Sequence, residues 1–134
     1  MKKILSLLLV IGFAITSATA QRASTIPVAA GDTTVNTDTA SKVLSITAGY
    51  SGVIIQPIVS KVSGTVAGKV YLYQSLDGVN YTAATDSITL SNQATNTGLW
   101  IKSAPNPVYY KISAITSGTQ SSILGVKYVA RKHD

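Results

Sequence analysis

A chain of 134 residues, 46% hydrophobic and 12% charged, suits one compact domain and is too apolar for a disordered tail. The formal charge of +6 falls to about +4 without Lys2 and Lys3, and the other cations are scattered. They stand singly at Arg22, Lys42, Lys61, Lys69, Lys102, Lys111 and Lys127, with only Arg131 and Lys132 adjacent, so they read as solvated positions on outward faces and argue against nucleic acid as a partner.

Residues 1–20 read as a secretory signal peptide. Lys2 and Lys3 precede an apolar run from Ile4 to Ile15, and "TSATA" places Ala18 and Ala20 at the small-residue positions for cleavage between Ala20 and Gln21. The competing reading is an uncleaved membrane anchor, but the run is shorter than the roughly 20 residues a spanning helix needs. No cysteine follows the run, which removes a lipid-anchored lipoprotein. The expected location is the periplasm, the cell surface or the extracellular space, or association with a virion. Without cysteine, the domain must be held by packing, pairing or assembly rather than by disulfides.

Residues 21–40 are rich in Thr, Ala and Asp, with a strand-like "TIPVAA" and a Gly31-Asp32 turn signal, and read as an arm or edge strand. From residue 41 to 134 the runs "KVLSIT", "VIIQPIVSKV", "KVYLYQS", "DSITL", "LWIKS", "VYYKISAIT" and "SSILGVKYVAR" are separated by Gly-, Asn- and Pro-containing turns. This predicts about seven or eight short strands, rich in β-branched and aromatic residues and with no helical period outside the leader. The fold class is all-β: one antiparallel β-sandwich or jelly-roll, preceded by the signal helix.

Alternation assigns the faces. Val108, Tyr110, Ile112 and Ala114 share one face and Lys111 and Ser113 the other, while Val70 with Leu72, and Leu124 with Val126 and Tyr128, extend the same core. Trp100 reads as core. "VIIQPIV" is apolar on both faces, as in a central or interface strand, yet Pro57 cannot donate to a ladder and argues for an edge or bulge. An edge strand apolar on both faces would suggest a partner chain.

The inventory for catalysis is thin. His133 is the only histidine and lies one residue from the end, there is no Glu or Cys, and the carboxylates are Asp32, Asp38, Asp77, Asp86 and Asp134. Without an anchored acid or base, no catalytic residue is assigned and the chain is read as a non-enzyme needing no cofactor. Calcium accepts oxygens from loops, and Asp77, Asn80 and Asp86 form one weak candidate cluster, Asn36 with Asp38 another. The competing reading is that these residues hold turns through their own backbone. In "YQSLDGVNYT", Asp77-Gly78 is expected to supply the positive backbone angles of a tight hairpin, with Ser75 and Tyr81 holding the corner. Tyr71, Tyr73 and Tyr81 would then line an outer patch suited to glycans or protein surfaces, unless another sheet or subunit covers them.

"SGTVAGKVYLYQSLDGVNYTA" and "WIKSAPNPVYYKISAITSGTQSS" resemble small signal-bearing β-sandwich proteins of Bacteroidota and their bacteriophages, including virion modules with an "SxDGxxW"-like hairpin. The resemblance spans about residues 53–131 and implies a turn-and-core signature. A weaker similarity is to discoidin-like (F5/8 type C) jelly-rolls. Here Tyr81 occupies the aromatic place, and the chain before the hairpin is too short for that family's binding loops to be carried over. The sialidase Asp-box spaces its residues differently and is set aside.

The functional expectation is an exported structural or adhesive component of a virion or cell envelope, partnered by copies of itself or by other structural subunits. The alternatives are a small carbohydrate-binding module using the Tyr patch, and an envelope protein whose leader stays in the membrane. Contact with a membrane is expected only through that leader.

Overall fold

The computed structural model describes residues 24–26, 32–46, 50–103 and 107–132. The leader, the Ala20–Gln21 cleavage position, His133 and Asp134 lie outside the described residues, as does most of the "APNP" corner.

Ten strands are described: β1 (Ser24–Ile26), β2 (Thr33–Val35), β3 (Thr39–Ser45), β4 (Tyr50–Gly64), β5 (Gly68–Ser75), β6 (Asp86–Leu90), β7 (Thr95–Thr97), β8 (Trp100–Ser103), β9 (Tyr109–Thr116) and β10 (Gln120–Lys132). The excess over the expected seven or eight comes from β1, β2 and β7, three-residue edge pieces too short to carry a period of their own. All pairings are antiparallel. In the first sheet β10 and β4 lie side by side at the centre; β1 and β2 share the edge beyond β10, and β7 and β8 share the edge beyond β4. The second sheet has the order β3-β9-β5-β6. The two sheets form a β-sandwich, as the strand pattern predicts.

The core lies between them. Val53, Ile55 and Val59 of β4, Leu124 and Val126 of β10 and Trp100 of β8 meet Leu44 of β3, Val70 and Leu72 of β5, and Tyr110, Ile112 and Ala114 of β9. Each fully buried aliphatic or aromatic side chain contributes about 1.5–3 kcal/mol, and a small domain without disulfides depends on that sum. Burial pushes the Tyr110 hydroxyl up to about 12.

Two expectations are corrected. Pro57 lies neither on an edge strand nor at a bulge: β4 is central, and its register with β10 shifts at Ser121/Ser122 and Arg131/Lys132, away from Pro57. The proline is tolerated because the neighbouring edge is interrupted beside it. β8 pairs with β4 up to Ile55, and β7 takes over only at Ile58. Pro57's carbonyl faces that edge, where the Thr97 hydroxyl donates to it at 3.0 Å, so the missing N–H falls on the same side, beside the gap.

Lys42, read as a solvated outward charge, is buried on the core side of β3 while Val43 faces outward. Its Nζ donates to Asp32 Oδ2 at 2.7 Å, and both side chains are almost fully enclosed. An inward-pointing charge on an edge strand also discourages edge-to-edge pairing. Asp32 precedes β2, so this ion pair links the two sheets along one flank. Along the other flank Lys102 of β8 donates to Asp86 of β6, again joining the sheets, in a more exposed setting.

The two ends of the sandwich differ. At one end the connections following β2, β4, β6 and β9 are cross-bonded. Asn36 N donates to Gln120 O, the Thr116 hydroxyl to Asn36 O, Thr65 N to Thr119 O, Ala67 N to Gln120 Oε1 and Val66 N to Asn92 Oδ1. Gly64 sits at φ 72°, and a Cβ there would fall 2.0 Å from Thr119 O. The opposite end carries the β5–β6 connection and the ends of β8 and β10.

Candidate functional site

The stretch that looked most like a motif builds the β5–β6 connection. It is not the expected tight hairpin: β5 ends at Ser75 and β6 begins at Asp86, and of the Asp77-Gly78 pair only Gly78 is left-handed, at φ 76°. Ser75 Oγ accepts from the Asp77 and Gly78 amides at 3.2 and 2.9 Å and donates to Asp77 Oδ1 at 2.8 Å. The same Oδ1 accepts from the Val79 and Asn80 amides at 2.9 and 2.8 Å, and Oδ2 accepts from Asn80 Nδ2 at 2.7 Å. The Asn80 side chain first, then the Val79 and Asn80 amides and the Ser75 hydroxyl, hold the Asp77 carboxyl far below the usual carboxylate range.

The calcium candidates are therefore placed as follows. Asp77 and Asn80 face each other inside the turn and spend their polar atoms there, whereas Asp86 is drawn to Lys102. Asp38 accepts from the Thr39 and Val35 amides, and Asn36 at φ 58° forms the corner beside it. No group of three or more His, Cys, Asp or Glu gathers among the described residues.

The three tyrosines do come together. Tyr71 and Tyr73 lie on the outer face of the second sheet with ring centroids 6.3 Å apart, and Lys111 Nζ stands 4.9 Å from the Tyr73 ring and 4.3 Å from the Tyr81 ring. The cation is attracted by both ring quadrupoles. It also occupies ring area that a stacked sugar would use. The Tyr81 hydroxyl is buried with no hydrogen-bond partner.

A second surface was only hinted at by the two-sided "VIIQPIV". On the outer face of the first sheet, Ile101 of β8, Ile54 of β4 and Val129 of β10 stand in one cross-strand row, with Ile58 and Ile123 further along. Ile101 is 67% exposed. At the loop-bearing end this row borders a hollow of about 360 Å³ lined by Ser51, Gly52, Val53, Ile54, Ile101, Lys102, Ser103 and Arg131. Lys127 and Arg131 are the exposed cations here, and no carboxylate shares the face among the described residues. The row unites residues far apart in sequence, which is why only its β4 portion was visible there.

Fold and surfaces define an all-β sandwich, and the tyrosine cluster and the hollow described above both lie on its exterior. No family model matches the chain, and no curated protein matches it in sequence. Among solved structures, the chain is similar to the PBSX exported protein XepA, with a TM-score of 0.60 at 10% identity over 84% of this chain and 38% of that one. It is also similar to a Bacillus endospore appendage protein from a family of disulfide-linked pili, with a TM-score of 0.51 at 9% identity over 84% and 87% of the two chains. A carbohydrate-binding module of Cellvibrio mixtus lichenase 5A reaches a TM-score of 0.39 at 11% identity over 75% of each chain, too low to carry an argument. The first two likenesses show the sandwich fold, and the chain spans little more than a third of XepA's length.

Proposed function

We propose that this is an exported, non-enzymatic structural or adhesive protein of a virion or cell envelope that works through its outer surfaces and self-associates. The observation that carries the reading is the apolar row Ile101–Ile54–Val129 on the outer face of the first sheet, on a strand whose other face already fills the core. Ile101 is exposed and Ile54 and Val129 beside it are half-buried, and neighbouring apolar side chains left open to water favour contact with another surface. The described carboxylates are meanwhile engaged within the chain, Asp32 and Asp86 with lysines and Asp38 and Asp77 with turn amides, which leaves no facing acid–base pair among them. The fold likeness to the PBSX exported protein XepA and to an endospore pilus protein agrees with this role without assigning it.

Sedimentation of the purified chain from low to high micromolar concentration, with binding assays on cells and particles, tests the reading. A strict monomer that binds neither would refute it. The second reading, a carbohydrate-binding module, rests on the Tyr71, Tyr73 and Tyr81 cluster. A glycan array bound by the wild type and lost with Tyr71→Ala would favour it, although Lys111 already covers two of the rings.

A further inference from the structure

We propose that the hollow on the outer face of β4, β8 and β10 receives the Leu76–Val79 loop tip of a second copy of this chain. The inference rests on the self-association reading above and names the two surfaces that meet.

The tip has the required chemistry. Val79 and Leu76 are the most exposed large hydrophobic side chains among the described residues, at 79% and 77%, ahead of Ile101 at 67%. Between them stands the exposed carboxylate of Asp77. The tip is also rigid: Asp77 and Ser75 bind the turn's amides, and Gly78 lies against the Tyr109 ring, which a Cβ would approach at 3.3 Å. A loop already ordered in one shape loses little entropy on docking.

The hollow is its complement. Ile54 and Ile101 offer apolar walls to Leu76 and Val79, and Arg131 and Lys102 line it with positive charge, opposite in sign to the tip, whose Asp77 keeps its negative charge while its oxygens stay bonded within the turn. At about 360 Å³ the space sits near the lower bound of roughly 300 Å³ for small-ligand clefts, a size suited to a loop tip. The face carries cations and no described carboxylate, so packing it against its own copy would oppose like charges; the tip brings the opposite sign.

The experiment is sedimentation velocity on the full chain with two variants altered only at exposed or half-exposed positions. Leu76→Asp with Val79→Asp removes the tip; Ile101→Asp with Arg131→Glu removes the hollow. Each variant alone should associate at least about tenfold more weakly than wild type. An equimolar mixture of the two should regain a complex of two chains, because one partner keeps an intact tip and the other an intact hollow. A tip variant that associates like wild type, or a mixture that stays monomeric, overturns this inference while leaving self-association standing. A wild type monomeric throughout overturns both. Circular dichroism and thermal melts matching wild type exclude misfolding as the cause of any loss.

Discussion

Replacing Lys42 by Met keeps the length of the side chain and removes its charge, leaving Asp32 enclosed without the ammonium that faces it at 2.7 Å. The side chains of the pair are 4% and 6% exposed, so water cannot replace the lost partner. Breaking such a pair costs about 3–5 kcal/mol, because the surviving charge stays desolvated. A domain of this size has only about 5–15 kcal/mol in hand, and each kcal/mol moves the melting temperature by about 4–8 °C, so the drop should exceed roughly 10 °C. Lys102→Met on the opposite flank is the internal control. That pair is 22% and 35% exposed, and a surface pair contributes at most about 1 kcal/mol. Combining Lys42→Met with Asp32→Leu should recover most of the loss, since a buried ion pair exchanged for apolar groups is often neutral. Calorimetry or urea melts of the three variants and the wild type provide the measurement. Equal losses at the two flanks, or a double variant worse than Lys42→Met alone, would refute the reasoning.

Gly78→Val should destabilise by about 2–4 kcal/mol in urea unfolding, combining a left-handed β-branched residue with crowding of the Tyr109 ring, whereas Asp77→Asn should be milder; equal tolerance of both would mean the turn is misread. Asp77 titrates lower in the folded chain than the ordinary value of about 3.9, so its stabilisation is fully present above that pH and fades as acid approaches the depressed value. Its carboxyl ¹³C resonance should therefore still report an ionised group near pH 3, where an ordinary Asp is mostly protonated; a midpoint close to 3.9 would contradict the hydrogen-bond network.

Much of the sandwich was legible because local alternation suffices where a strand has one wet face. Tyr110, Ile112 and Ala114 fell inward as read, as did Val70 with Leu72 and Leu124 with Val126. Lys42 was misread because a period-2 pattern sends charges outward, and its partner Asp32 approaches from another sheet. Pro57 was misread for a related reason: the gap that accommodates it is made by β7 and β8, some forty residues later in the chain. The Tyr cluster was legible from spacing along β5, but the lysine lying over it came from β9. The hollow had no local signature, because its floor and walls are supplied by three strands.

The cross-bonded end of the sandwich divides the sequence into parts that tolerate change differently. Connections at Asn36–Asp38, Gly64–Gly68 and Thr116–Gln120 fix one another, so a lengthened turn there would shift the register of several strands together. The Thr82–Thr85 stretch at the other end touches the ladder mainly through Gln74 and Leu72. An epitope or a new recognition segment grafted there would leave the strand register untouched, giving the fold a fixed base and an end open to diversification.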